Sequence, residues 1–155
     1  FAGGFRRSEL VSLEKSDLEF ISEGLKITLK KSKSDQYGQG LIKGIPYFKN
    51  NKYCPVIAVK EWMSSSDNLT EKRLFPYSDK TVALIVKKYL GLIGLDNKQY
   101  SGHSLRSGFA TSTAASGADE RSIMAMTGHK STEMVRRYIK EADLFKNNAL
   151  NKLNF

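Results

Sequence analysis

The spacing of apolar residues changes along this chain from a period of two to a helical period, and that change constrains the fold most. Apolar and polar residues alternate through 17–21 and 24–29, which is the pattern of a hairpin with one buried face. Residues 40–46 are predicted to return as a third strand. After Pro55 the apolar residues recur mostly at helical spacing. The sequence therefore predicts an α+β domain, mainly α-helical, with a small three-stranded antiparallel sheet.

Capping residues divide the helical part. Ser78, Asp119 and Ser131 each precede an apolar periodic segment, and their side-chain oxygens can accept hydrogen bonds from the free N–H groups of a first turn. The predicted helices cover 6–13, 55–63, 79–93, 104–115, 120–128, a segment after Ser131, and 142–153. The helix over 79–93 carries an apolar stripe that we expect to be core scaffold, formed by Val82, Ile85, Val86, Tyr89, Leu90 and Ile93.

Length and composition limit the classes of protein. A chain of 155 residues is long enough for one domain with a proper core. The single cysteine, Cys54, excludes an internal disulfide and suits a reducing compartment. No apolar run approaches the ~18 residues of a membrane helix, and no signal peptide opens the chain. We therefore expect a soluble intracellular domain.

The positive charge is concentrated in one region. The net charge is +9, and residues 26–60 hold eight lysines against one aspartate, a local charge of +7. Such a concentration indicates a contact surface for a polyanion, with nucleic acid favoured. The alternatives are a lysine-rich surface that only aids solubility, and a membrane surface. The second is disfavoured because no basic amphipathic helix with an aromatic face is present.

Residues that suit an anion site lie between Gly102 and Tyr138. His103 and Arg106 are three residues apart, so on a helix they share a face at roughly 5–6 Å between Cβ atoms. The two histidines of the chain, His103 and His129, both lie in this window, and Tyr138 follows His129 by nine residues. A cation beside an imidazole makes a poor core but a good anion site.

Several chemistries are excluded by what the sequence lacks. One cysteine and two widely spaced histidines offer no zinc site of ordinary ligand spacing. The carboxylates do not cluster as a magnesium-dependent nuclease requires, and no Walker-type glycine loop is present. Phosphoryl transfer would therefore run without metal, nucleotide or other cofactor. Side-chain cations would carry the charge, the candidates being Arg6, Lys33, His103, Arg106 and His129.

Taken in chain order, these motifs resemble the catalytic domain of a tyrosine recombinase of the phage integrase family. The motifs are Gly4-Phe5-Arg6-Arg7-Ser8-Glu9-Leu10, Lys33 in a predicted hairpin, His103-x-x-Arg106, Gly128-His129 and Tyr138. The resemblance covers essentially the whole chain, and the frame around Arg6 selects it over Arg7. It implies that residues 1–155 are a catalytic domain and that the amino-terminal core-binding domain, with which such enzymes clamp DNA, is absent from this chain.

The resemblance also implies how DNA is cut. Tyr138 would attack the scissile phosphodiester, giving a 3′-phosphotyrosyl link and a free 5′-hydroxyl. Arg6 and Arg106 would grip the nonbridging oxygens, because guanidinium groups match phosphate geometry and stay charged. A phenol of ordinary pKa, about 10, is a poor nucleophile at neutral pH, so the site must favour the phenolate or supply a base.

The remaining roles concern protons and positioning. His103 would assist proton movement at the tyrosine, and His129 would donate a hydrogen bond to the phosphate. Lys33 would protonate the leaving 5′-oxygen, with Lys30 and Lys31 as close alternatives. Glu9 would orient Arg6 and His103. The predicted DNA contacts outside the centre are Lys30, Lys31, Arg136 and Arg137.

The resemblance implies partners and leaves rival functions open. Expected partners are double-stranded DNA, other protomers in a synaptic tetramer, and accessory DNA-bending proteins, with no membrane. The expected location is the cytoplasm, at the nucleoid of a prokaryotic or phage system. Integration or excision is the predicted outcome. The alternatives are a type IB topoisomerase-like nicking-closing enzyme and an inert DNA-binding module. The apolar stripe Phe145, Ala149 and Leu153 of the predicted last helix is a candidate to dock on a neighbouring subunit.

Overall fold

The fold is described from a computed structural model, which covers residues 1–30, 40–65, 70–146 and 149–153. These residues form six α-helices and three strands, in agreement with the predicted α+β class. The helices are α1 Arg7–Ser12, α2 Pro55–Ser64, α3 Asp79–Leu92, α4 Ser104–Ala115, α5 Glu120–Thr127 and α6 Thr132–Asp143. The strands are β1 Leu18–Ile21, β2 Gly24–Leu29 and β3 Leu41–Pro46, and short 3-10 turns cover Lys15–Asp17, Asn51–Tyr53, Asn97–Gln99 and Ala149–Lys152.

The three strands form one antiparallel sheet in the order β1-β2-β3. Leu18 pairs with Ile27 in the first ladder, and Leu25 pairs with Ile45 in the second. Leu25, Ile27 and Ile45 are buried, so the period-two pattern does place one face of the sheet in the core. The tip between β2 and β3, where Lys31 and Lys33 fall, lies outside the described residues.

The predicted helix starts are confirmed. Ser78 accepts a hydrogen bond from the Thr81 N–H at 3.1 Å, Asp119 from Ser122, and Ser131 from Glu133. At the other end of α5, Gly128 has φ +63° and donates its N–H to the Met124 carbonyl. This left-handed C-cap, which glycine adopts without steric cost, turns the chain sharply and directs His129 into the interior.

Two apolar clusters form the core, and the amino-terminal segment connects them. The first lies under the sheet and includes Leu13, Leu25, Leu29 and Leu74; the second lies between α4, α5 and α6 and includes Ala110, Ile123 and Val135. Gly4 has φ +54°, and a Cβ there would stand 2.9 Å from a ring carbon of Phe109 and 3.3 Å from the Thr127 methyl. The chain therefore passes closely over α4 and α5 just before Arg6.

The apolar stripe of α3 is less buried than predicted. Val82 lies in the core, but Tyr89 is 63% exposed, and Ile85 and Ile93 are exposed as well. The reason is that few elements cover this helix. Leu10 of α1, Trp62 of α2 and the segment with Phe75 and Tyr77 approach it, and they leave an open apolar groove of about 410 Å³.

The predicted helix over 142–153 is wrong. Helix α6 runs on to Asp143, turns follow at 144–146, and Ala149–Lys152 forms a 3-10 turn. The Asn151 side-chain amide donates to the Phe145 and Lys146 carbonyls, which a continuous helix would use for its own N–H groups. The side chain of Phe145, predicted to face a partner subunit, is exposed within this chain.

None of the described helices has the length and apolar character that a membrane crossing requires.

Candidate active site

Arg6 is held at the start of α1 by Glu9. The Glu9 carboxylate accepts a hydrogen bond from the Arg6 backbone N–H at 2.9 Å and forms an ion pair with the Arg6 guanidinium. Glu9 is buried, and the Arg6 Nη2 also donates to the Gly128 carbonyl at 3.3 Å. One carboxylate therefore fixes both the backbone and the side chain of Arg6, and the arginine bridges α1 to the end of α5.

Arg106 is almost completely buried, at 2% exposure, in the first turn of α4. Its Nη1 donates to the Gly4 carbonyl at 2.7 Å, whereas its Nε and Nη2 have no partner among the described residues. His103 is the N-cap of α4, and its carbonyl accepts the N–H groups of Arg106 and Ser107. This places the imidazole beside the guanidinium at the open end of the helix.

His129 is buried directly after the left-handed Gly128. Its Nδ1 lies 2.8 Å from the hydroxyl of Thr127, the last residue of α5. The His129 ring is stacked on the Tyr138 ring, with centroids 6.3 Å apart and an angle of 27° between the planes. The turn between α5 and α6 thus brings the second histidine to the face of α6 that carries the tyrosine.

Tyr138 lies on α6, packed against the cluster of α4, α5 and α6. Its hydroxyl is 3.3 Å from the hydroxyl of Ser107 on α4. Helix α6 packs extensively on α4, which explains how residues 31 positions apart in sequence meet. The phenol is therefore fixed at its hydroxyl end by α4 and at its ring by His129.

The electrostatics of the cluster show an excess of positive charge. Burial and the neighbouring Arg6 lower the pKa of Arg106 to about 10. Burial, followed by Arg106, Arg6 and His103, lowers the pKa of His129 to about 4. Burial and the same two arginines also lower the pKa of His103. Both imidazoles are consequently neutral at neutral pH. Burial is the main cause, and a bound anion would offset the smaller part of each shift that comes from the arginines.

The structure brings together five of the predicted catalytic residues and the predicted positioning residue Glu9. The five are Arg6, His103, Arg106, His129 and Tyr138, linked by the contacts above and by mutual effects on their pKa values. Lys33 and Lys31 lie outside the described residues, so their parts stay predictions.

The predicted outer DNA contacts have other neighbours in this structure. Lys30 forms ion pairs with Asp17 at 2.6 Å and Glu14 at 3.3 Å. The Nε of Arg136 lies 3.2 Å from a Glu120 carboxylate oxygen. Arg136 and Arg137 are both exposed on α6. An arginine can contact a phosphate and keep an ion pair, whereas a lysine between two carboxylates is a weaker candidate for the same task.

Three residues at the site were missed in the sequence: Lys43, Ser107 and Thr127. Lys43 is 1% exposed; its amine donates to the Gly3 carbonyl at 2.8 Å and lies 4.1 Å from the centre of the Phe5 ring. A signal for Lys43 was present, because Leu41, Lys43 and Ile45 alternate on the inward face of β3. Hydroxyl groups as common as those of Ser107 and Thr127 carry no comparable signal.

Burial lowers the pKa of Lys43 to about 8, with Arg106 and Arg6 adding to the effect and Glu9 opposing it. The ordinary pKa of 10.5 applies in the unfolded chain, so the native state loses this proton first. The cost of burying the charge is present below pH 8 and declines as the pH rises towards 10.5. The free energy of unfolding of the wild type should therefore rise across this interval relative to Lys43→Met, by at most about 3 kcal/mol. Urea unfolding of both proteins at pH 7.5, 9 and 10.5 measures this, and parallel curves would contradict it.

The arrangement can bind an anion and present a nucleophile to it. Arg6 and Arg106 lie close enough to both imidazoles to lower their pKa values, and the phenol of Tyr138 lies beside His129. The carboxylate of Glu9 is already engaged by Arg6. In the described ranges no group of three His, Cys, Asp or Glu side chains is positioned to hold a metal ion. The donors that are present suit a phosphate.

Solved structures of other proteins share the fold described above. The crystal structure of the XerA recombinase superposes with a TM-score of 0.74 at 22% identity, over 99% of this chain and 54% of that one. The post-cleavage complex of the XerH site-specific recombinase with its palindromic difH substrate gives 0.70 at 18% identity, over 95% of this chain and 43% of that one. The fold is therefore one that site-specific recombinases share.

The family follows from the sequence. The model of the phage integrase family matches residues 1–144. The integrase/recombinase XerD homolog of Selenomonas ruminantium is 46% identical over 164 residues, which cover 99% of this chain and 48% of that protein. The chain belongs to the phage integrase family, and it spans about half the length of this relative.

Proposed function

We propose that this chain is the catalytic domain, over residues 1–155, of a tyrosine-type site-specific DNA recombinase. It cleaves and rejoins DNA strands without a metal, through a 3′-phosphotyrosyl intermediate. The observation that carries the proposal is the pair of unpartnered, buried donors of Arg106 within a cluster that also holds Arg6, two imidazoles and Tyr138.

Buried donors without partners are costly, so their presence calls for an explanation. Nε and Nη2 of Arg106 form one edge of a guanidinium, the edge that binds two oxygens of a phosphate side by side. A scissile phosphate there would satisfy both donors and offset the repulsion between Arg106 and Arg6. The protein thereby stores an unfavourable arrangement that DNA binding relieves.

The chemical step balances without a cofactor. The Tyr138 oxygen forms a bond to phosphorus as the bond from phosphorus to the 5′-oxygen breaks. The tyrosine proton leaves towards a neighbouring base, for which His103 is the proposed group, and the 5′-oxygen takes a proton from Lys33. Arg6 and Arg106 stabilise the charge that develops on the nonbridging oxygens. Because the ester to tyrosine conserves the bond energy, a second 5′-hydroxyl can reverse the step without ATP.

Double-stranded DNA is the proposed partner, and the difH substrate bound by the XerH recombinase supports this by analogy. The lysines of 26–60 other than the buried Lys43, together with the exposed Arg136 and Arg137, supply positive charge for the DNA backbone. Recombination also requires several protomers around two DNA sites. We propose that the exposed Phe145 contacts a neighbouring protomer. We also propose that accessory DNA-bending proteins take part and that the protein acts at the nucleoid.

The test is a covalent adduct. The full-length protein is incubated, in EDTA and without ATP, with a pool of nicked duplexes that carry a randomised central segment. We expect a protein–DNA complex that survives denaturation, retains a label placed on the strand fragment that ends in the 3′-phosphate at the break, and maps to the peptide with Tyr138. Strand exchange between two captured duplexes would separate recombination from simple nicking and closing. Salt-sensitive binding of the same pool without any adduct would instead favour an inert DNA-binding module.

The part played by Lys33 can be separated from phosphate binding by chemistry. A duplex in which sulfur replaces the bridging 5′-oxygen has a leaving thiolate that needs no proton, because thiols are far stronger acids than alcohols. Lys33→Ala should form adduct on normal DNA ~10²–10⁴-fold more slowly than wild type, and at nearly the wild-type rate on the sulfur-substituted duplex. Lys30→Ala and Lys31→Ala are the matched controls. If the sulfur-substituted duplex rescued Lys30→Ala or Lys31→Ala and not Lys33→Ala, that other lysine would be the group that protonates the leaving 5′-oxygen.

A further inference from the structure

The hydroxyl of Thr127 lies between two atoms of different character. It is 2.7 Å from the Ile123 carbonyl oxygen and 2.8 Å from Nδ1 of His129. Thr127 is fully buried at the end of α5, so water does not compete for these contacts. A threonine hydroxyl has one proton, and where that proton lies determines which ring nitrogen of His129 carries its own.

The Ile123 carbonyl determines where the Thr127 hydroxyl proton lies. Two oxygens 2.7 Å apart need a proton between them, and a carbonyl has none, so Thr127 donates to Ile123. Its oxygen is then an acceptor towards His129, and Nδ1 must be the nitrogen that carries hydrogen. Among the described residues no hydrogen bond reaches Nε2. In the neutral ring Nε2 therefore holds a lone pair.

We propose that Thr127 is a positioning residue that holds His129 as the Nδ1–H tautomer, so that Nε2 can donate to an anion only after it takes up a proton. The part that concerns the anion rests on the proposed function. Binding of the scissile phosphate then requires uptake of one proton by His129. This differs from a histidine with Nε2–H, which donates while neutral.

The groups around His129 set the direction of this coupling. The groups near the ring are Arg6 and Glu9 at the start of α1, His103 and Arg106 at the start of α4, and Tyr138 from α6. The cations outnumber the one carboxylate, and together with burial they keep the free imidazole neutral. A phosphate between the arginines reverses the local charge and favours the imidazolium. Donation from His129 should therefore weaken as the pH rises.

The first measurement reads the tautomer directly. Long-range proton–nitrogen NMR spectra of the 155-residue chain, labelled at histidine, contain signals from only His103 and His129, and His103→Gln assigns them. At pH 7.5 we expect His129 as the Nδ1–H form in wild type and in Thr127→Ser, which keeps the hydroxyl. Thr127→Val preserves shape and removes the acceptor, so it should shift His129 towards Nε2–H. A wild-type ring protonated at Nε2, or a Thr127→Val spectrum identical to wild type, overturns the proposal.

The second measurement reads the consequence in the adduct assay. At pH 6 Thr127→Val should form adduct roughly five- to tenfold more slowly than wild type, the usual effect of one lost orienting hydrogen bond. The gap should narrow towards pH 8, because the variant can donate from a neutral ring, and Thr127→Ser should follow wild type. A ratio that is constant with pH contradicts the proton uptake. If wild type forms no adduct at any pH, the proposed function fails, whereas the NMR spectra still decide the role of Thr127.

Discussion

Tyr138→Phe should abolish the covalent protein–DNA adduct, a loss of at least about 10⁴-fold, because no other group can replace a missing nucleophile. The substitution removes one oxygen, whose described contact is the 3.3 Å approach to the Ser107 hydroxyl. The ring stays beside His129 and against the cluster of α4, α5 and α6. Salt-dependent DNA binding and the free energy of unfolding should therefore stay close to wild type. The measurement is the yield of denaturation-resistant complex on the nicked duplex.

Ser107→Ala is the matched control for this result. It removes the other half of the same hydroxyl contact and leaves the nucleophile in place. We expect it to slow adduct formation by less than about tenfold, in keeping with one neutral hydrogen bond. If Tyr138→Phe still gave an adduct, the modified residue would have to be another side chain. If both variants lost the adduct equally, the contact to α4 would be as important as the oxygen itself.

The order and type of the elements could be predicted from the sequence because their signals are local. Alternation fixes β1 and β2, and the caps Ser78, Asp119 and Ser131 fix the starts of three helices. The prediction of a helix at the end of the chain was wrong because the signal there is equally local but weak. Apolar residues at helical spacing favoured a helix over 142–153, and the Asn151 amide instead binds the carbonyls that such a helix would use.

Burial was harder to predict than secondary structure. An amphipathic stripe such as that of α3 shows which face is apolar, but the amount of cover depends on packing partners distant in sequence. Here Val82 is buried and Tyr89 is left 63% exposed, although both line the same open groove with Leu10 and Trp62. Lys43 is the opposite case, since its place on the inward face of β3 follows from period two. The Gly3 carbonyl that receives its amine lies 40 positions away and has no sequence signal.

The candidate site was predictable in its residue types and not in its connections. The spacing of His103, Arg106, His129 and Tyr138 identified the chemical groups, and the structure adds the contacts that orient them. The ion pair between Arg6 and Glu9 can be predicted from the sequence because the two residues are three positions apart. The contact from Thr127 to His129 is equally short in sequence, yet it exists only because Gly128 turns the chain back at the end of α5.

Arg106 is the residue for which stability and activity should separate most clearly. The free protein buries its cation with one described acceptor, the Gly4 carbonyl, and leaves Nε and Nη2 without partners. Arg106→Met removes the cost of burying this cation. The free energy of unfolding of the variant should therefore lie within about 2 kcal/mol of the wild-type value, or above it. Adduct formation should fall by ~10³–10⁵-fold, the range for an arginine that stabilises a transferring phosphoryl group.

Arg106→Lys tests whether the planar fork or only the charge matters. An ammonium keeps the charge but cannot bind two phosphate oxygens side by side, so we expect a loss of roughly 10²–10³-fold in adduct formation. Arg136→Met, which removes an exposed arginine from α6, is the matched control and should change the rate far less. A fall in unfolding free energy of more than about 3 kcal/mol in Arg106→Met would mark Arg106 as a structural cation. The unpartnered donors of Arg106 instead predict little or no loss of unfolding free energy in Arg106→Met. A cation that is positioned to bind phosphate stabilises the DNA-free protein least, because its donors have no partner until phosphate binds.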